Sequence, residues 1–130
     1  MGLFGMFKSD RDLAKKEIVQ VPWNYLTSEE ELKAAIEVSH QTPVVIFKHS
    51  TTCGISRMAL NRFESAYDVK ESQLRPYFLD LKRFREISNA VAEQLEVRHE
   101  SPQLLLLKNG TVVYHESHGS IDLEEVKAKL

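Results

Sequence analysis

Pro43-Val44-Val45-Ile46-Phe47-Lys48-His49-Ser50-Thr51-Thr52-Cys53-Gly54-Ile55-Ser56 opens as a continuous apolar, β-branched run behind a proline and closes as a polar loop around a cysteine. A run of that kind is how a strand buried on both faces reads. Beyond Cys53 the period changes, and Ile55, Ala59, Arg62/Phe63, Ala66 and Tyr67 recur on one helical face. The stretch therefore predicts a buried strand, a polar turn and a helix, with Cys53 at the junction.

Upstream, Trp23 to Leu26 is a short aromatic strand candidate, and residues 1 to about 20 lack a clean period and read as an arm. Thr27-Ser28-Glu29-Glu30 places Glu three positions after Thr27, a capping box that opens a helix running to about His40 with Leu32, Ala35 and Ile36 inward. Downstream, Pro76 to Leu81 predicts a third strand. Phe84 to Leu95 predicts a third helix, with Ile87, Val91 and Leu95 four apart. Asn109-Gly110 joins the apolar runs Gln103–Lys108 and Thr111–His115, the strongest short-range hairpin signal. Leu123, Val126 and Leu130 mark a last helix. The order β-α-β-α-β-α-β-β-α needs a parallel pair early and an antiparallel hairpin late. An α/β fold with a mixed central sheet flanked by helices satisfies both, over residues 21–130.

The chain has 130 residues, 42% hydrophobic and 28% charged, so it suits one soluble domain without a metal or disulfide staple. Its 17 basic and 19 acidic side chains leave a net charge of −2, which argues against a nucleic-acid binder. Met1 to Phe7 is apolar but short and is cut off by Lys8-Ser9-Asp10-Arg11-Asp12, unlike a signal peptide. No window is long enough for a membrane span. The expected location is the cytoplasm, where a lone thiol stays reduced.

One cysteine excludes an internal disulfide, a CxxC pair and a multi-cysteine zinc site. Cys53 is then either a buried hydrophobe or a lone reactive thiol. Its flank of Ser50, Thr51, Thr52 and Gly54 is a poor core environment. Its place at a helix start offers free N–H groups and the positive end of the dipole to a thiolate. Lys48, His49 and Arg57 are the candidate cations, and Arg57 follows one helical turn on. Such surroundings lower a thiol's pKa. A lower pKa does little for attack, since nucleophilicity falls as the thiolate fraction rises, but it makes the sulfur a better leaving group. That property serves a thiol released from a mixed disulfide by a second thiol. Ser56 stands at the resolving position, three residues past Cys53, so the motif is CxxS and a dithiol cycle within one chain is excluded.

Lys48-His49-Ser50-Thr51-Thr52-Cys53-Gly54-Ile55-Ser56, with Ser101-Pro102 ahead of the hairpin, resembles the thioredoxin/glutaredoxin superfamily. More narrowly it is similar to the monothiol bacilliredoxins of the bacillithiol system, over roughly residues 20 to 130. The resemblance implies a thioredoxin-like fold and a catalytic Cys53 that removes bacillithiol from S-thiolated proteins through a Cys53–bacillithiol disulfide. Bacillithiol would then be the co-substrate, with no metal. Thr52, Gly54, Ser56, Lys48 and Arg57 would surround the thiol. The resemblance also implies that Pro102 is cis and lies across from Cys53, with Ser101 offering backbone hydrogen bonds to the incoming disulfide. By analogy with glutaredoxins, Gly119 and Ser120 would meet the small thiol's carboxylate at the last helix, although the usual Gly-Gly pair is missing. Gly54 replaces the family's proline and loosens the first helical turn.

Other constellations carry less. His115-Glu116-Ser117-His118 is not HExxH, His99-Glu100 is a loop pair, and Ala59 stands where a phosphatase needs arginine. Two readings compete with the exchange enzyme. One is a thioredoxin-fold binding module that docks partners beside Pro102 without redox turnover. The other is a monothiol glutaredoxin that uses another small thiol and holds an iron–sulfur cluster as a dimer.

Overall fold

A computed structural model describes residues 20–130 of the chain. The arm expected over 1–20 lies, apart from Gln20, outside the described residues. The elements are β1 (Asn24–Tyr25), α1 (Glu29–Val38), β2 (Val44–His49), α2 (Gly54–Ala66), β3 (Arg75–Asp80), α3 (Arg85–Leu95), β4 (Gln103–Lys108), β5 (Thr111–Ser117) and α4 (Leu123–Lys127), with a 3-10 turn at His118–Ser120. They follow the expected order. The five strands form one sheet in the order β1-β3-β2-β4-β5. β3 pairs parallel with β1 and β2, while β4 runs antiparallel to β2 and β5.

The continuous apolar run behaves as a central strand must: all of β2 is buried, and β4 is buried from Gln103 to Leu107. Alternation along each strand sends successive side chains to opposite faces. Val44, Ile46, Tyr77, Leu79, Leu105 and Leu107 pack with Leu32 and Ala35 of α1 and with Ile87, Ala90, Val91 and Leu95 of α3. Val45, Phe47, Leu104 and Leu106 pack on the other face with Ala59, Phe63 and Tyr67 of α2 and Leu123 and Val126 of α4. Trp23, just before β1, stacks on Phe63 at 5.9 Å between ring centroids, and its Nε1 donates to Glu64 Oε2 at 2.7 Å. These contacts set α2 against the sheet.

Four local readings are corrected. The cap of α1 lies one residue later than expected: Ser28 Oγ accepts from Glu31 N, and the Glu31 carboxylate accepts from Thr27 N at 2.7 Å. Thr27 and Glu30 share the spacing, but Ser28 is the N-cap, with extended backbone and a side chain that accepts from Glu31 N. Along α2, Ile55 and Ala66 point to solvent, and the inward face is Ser56, Ala59 and Phe63. β1 shrinks to two residues, with Trp23 outside the strand. Leu130 lies beyond α4 and is exposed. The hairpin forms as expected, with Asn109 at φ 54 and Gly110 at φ 81 in a two-residue turn. Gly110 N donates to Ser39 Oγ and Asn109 N to Ser39 O, at 2.8 and 2.7 Å, so the hairpin tip is fastened to the end of α1.

Candidate functional site

The strand register gathers the candidate residues at one end of the sheet. Lys48 near the end of β2 pairs with Gln103 at the start of β4, and Gln103 pairs with Ser117 at the end of β5. The loop after β2 with Cys53, the loop before β4 with Ser101-Pro102, and the turn after β5 with Gly119-Ser120 therefore share that end. It is also the carboxyl end of the parallel strands, the usual ligand end of such sheets.

Cys53 is the N-cap of α2, with φ −107 and ψ 122, and is half-buried and free. Its N–H donates to Ser50 O at 3.2 Å, and its carbonyl accepts the first helical bond from Arg57 N at 3.1 Å. Its side chain makes no capping bond, so the sulfur lies at a helix start with the dipole's positive end behind it. Gly54 follows with open space where a side chain would stand. Ile55 and Met58 on the first turn are 54% and 73% exposed.

Ser56 is fully buried. Its hydroxyl accepts from Ser50 N at 2.9 Å and lies 2.8 Å from His49 Nδ1, tying the end of β2 to α2. His49 was a candidate cation; burial, the largest influence, lowers its pKa against the opposing pull of Asp80, with Arg57 reinforcing the fall. It is therefore a neutral partner of Ser56 at pH 7. Arg57 Nη2 donates to Thr51 O at 3.3 Å, at the rim of the loop. Sequence reasoning missed Lys82. It sits in the turn after β3, and its Nζ donates to Thr52 Oγ1 at 3.1 Å, bringing an ammonium to the residue before Cys53. Only the parallel register of β2 and β3 reveals it, because His49 pairs with Asp80 and so aligns the two loops that follow. Lys48 leaves β2 on the α1/α3 face, away from α2.

The Ser101–Pro102 peptide is cis, with Pro102 buried and Ser101 half-buried. Pro102 O accepts from His118 N at 3.1 Å, and the His118 ring lies 3.6 Å from the Glu100 carboxylate, so this loop and the turn after β5 are joined by two contacts. Arg62 of α2 donates to Gly119 O and Ile121 O, each at 2.7 Å, and holds that turn against the helix. The start of α4 is already occupied: Asp122 caps it and accepts from Glu124 N, with Glu124 and Glu125 in the first turn. That end is negative and repels a carboxylate. Among the described residues no three metal-ligating side chains cluster.

The arrangement is a single cysteine at a helix start, at the same end of the sheet as a cis-proline loop, with no second thiol in the chain. Residues 24–126 match the family model described as monothiol bacilliredoxin BrxC. The chain belongs to that family. Its membership makes it a thiol–disulfide oxidoreductase of the one-cysteine type, and the family name carries a link to bacillithiol. One solved structure, described as an oxidoreductase with a thioredoxin fold, is 30% identical with a TM-score of 0.70, over 82% of this chain and 91% of that one. Malassezia sympodialis thioredoxin is 19% identical, with a TM-score of 0.66 over 86% and 90% of the two chains. Thioredoxin O2 of Arabidopsis thaliana is 22% identical, with a TM-score of 0.62 over 84% and 91%. These last two share the fold of this bacilliredoxin.

Proposed function

We propose that this bacilliredoxin removes bacillithiol from S-thiolated proteins. The Cys53 thiolate attacks the bacillithiol sulfur of the mixed disulfide. A Cys53–bacillithiol disulfide forms and the protein's cysteine leaves as thiolate. A second small thiol from outside then attacks that bacillithiol sulfur and releases Cys53, and the two small thiols depart as a disulfide. The observation that carries this is a lone cysteine capping α2, with the hydroxyl of Ser56 buried and engaged where a resolving sulfur would stand. Thr52 with Lys82, Gly54 with its open first turn, and Arg57 at the rim flank Cys53. The exposed Ile55 and Met58 suit a protein substrate, and Ser101-Pro102 supplies the backbone edge for its disulfide. Gly119 and Ser120 stand on the same rim and approach the small thiol through backbone groups rather than a helix end.

The reaction needs no metal, and a reducing cytoplasm with a small-thiol pool is its setting. Incubation with bacillithiol disulfide followed by intact-mass measurement tests the reading. One bacillithiol adduct is expected on the wild type and none on Cys53→Ser. No adduct on the wild type, together with partner binding that survives Cys53→Ala, would instead support a binding module.

A further inference from the structure

The sheet order puts the turn after β3 on one side of β2, and the cis-proline loop with the turn after β5 on the other. The two flanks of Cys53 differ in charge. On the β4–β5 side stand Glu100, Asp122, Glu124 and Glu125. The cations there are engaged: Arg62 on the Gly119 and Ile121 carbonyls, and the His118 ring against Glu100. On the β3 side the turn reads Asp80-Leu81-Lys82-Arg83. Leu81 N donates to His49 O at 3.1 Å and Phe84 N to Asp80 O at 2.9 Å, which fixes the turn against the end of β2. Its acid is engaged too, because Asp80 Oδ1 accepts from Arg83 N at 3.2 Å. The Arg83 guanidinium lies over the Phe84 ring.

Lys82 and Arg57 are the cations that reach the loop before Cys53. Lys82 Nζ donates to Thr52 Oγ1 at 3.1 Å, and Arg57 Nη2 to Thr51 O at 3.3 Å. Both residues are exposed, and among the described residues neither takes part in a salt bridge. An ammonium has three donors and a guanidinium five, so each keeps donors for a further acceptor. We infer that Lys82, with Arg57, sets the charge selectivity of the exchange at Cys53, favouring a small thiol that bears a carboxylate. The inference rests on the exchange reading above. The acidic start of α4 repels a carboxylate, whereas the β3 side offers it two cations held at the residues next to the sulfur. Lys82 is thus a specificity residue rather than a group that moves a proton or electrons.

The test compares three symmetric disulfides, those of mercaptopropionate (anionic), mercaptoethanol (neutral) and cysteamine (cationic). In each reaction the Cys53 thiolate takes one sulfur and the other small thiol leaves as thiolate. Rates of adduct formation come from intact mass and are divided by the rates with free mercaptoethanol as the attacking thiol. The wild type is expected to prefer the anionic disulfide to the neutral one, and the neutral one to the cationic. Lys82→Met should lower the anionic-to-neutral ratio about two- to fivefold, the contribution of one exposed charge. Lys82→Arg keeps the charge and should keep the ratio. Added salt should shrink the wild-type preference. Because the ratio is taken within each variant, a general slowing through a disturbed loop leaves it unmoved. No preference in the wild type, an unchanged ratio in Lys82→Met, or a ratio lost in Lys82→Arg overturns the inference. If none of the disulfides gives an adduct, the exchange reading fails separately. Alkylation of Cys53 by iodoacetate against iodoacetamide, again referred to mercaptoethanol, then decides. A ratio raised in the wild type and reduced in Lys82→Met supports the inference, and equal ratios overturn it.

Discussion

Lys48 spends its charge in a strand whose every other position up to Phe47 is apolar, and the cost is measurable. With a folded pKa of about 8 against an ordinary 10.5, the unfolded chain keeps a proton that the folded chain has lost across that window. Stability attributable to Lys48 is therefore lowest below about pH 8 and rises as pH climbs towards 10.5, by roughly 3 kcal/mol in all. Tyr67 works in the opposite direction, since burial raises its pKa to about 12 and the folded state resists its ionisation above pH 10. Urea unfolding between about pH 7 and 10 is expected to show the rise in the wild type and not in Lys48→Met. The same substitution should raise stability at pH 7. Gly54 is the second residue with a clear expectation. It occupies the first position of α2, where proline is pre-organised, and no atom lies within 4 Å of a Cβ added there. Gly54→Pro should stabilise by about 0.4–1 kcal/mol, seen as a higher midpoint in thermal unfolding.

The element that matters most for the site is the β2–α2 joint, and Ser56 is its pin. Ser56→Ala removes an acceptor from Ser50 N and a partner from His49 Nδ1, both in buried surroundings. A loss of about 1–3 kcal/mol in denaturant unfolding is the expected outcome. The joint also shows what the sequence could and could not convey. Its apolar run, its change of period and the CxxS spacing are local signals, so strand, helix and cysteine cap were all legible. On α2, Ala59 and Phe63 face inward as expected, but Ile55 is apolar yet solvent-facing, while the buried Ser56 is polar. Periodicity counts apolar residues and cannot see a serine whose hydroxyl is fully satisfied. Lys82 was invisible for a different reason. It meets Thr52 only through the lateral register of β2 and β3, a long-range property that no local spacing encodes.

At the scale of the whole molecule, the reactive end of the sheet is held by links that cross between elements. Arg62 bonds the Gly119 carbonyl within the 3-10 turn and the Ile121 carbonyl after it, and His118 N bonds Pro102 O, so the turn after β5 is linked both to α2 and to the cis-proline loop. Arg62→Met should cost about 1–3 kcal/mol and quicken hydrogen exchange from His118 to Leu130, with β2 and β4 unaffected. The opposite end is closed differently, by Ser39 gripping both amides of the Asn109-Gly110 turn and the His40 ring lying 3.0 Å from where a Gly110 side chain would begin. For protein engineering, this hairpin tip looks like a conventional place to graft a peptide tag, yet it is a poor one. A graft between Asn109 and Gly110 would pull two bonded amides off α1 and unseat the hairpin from the helix. The exposed turn at Glu71-Ser72 carries no such attachment and should accept the same graft with its thermal midpoint unchanged.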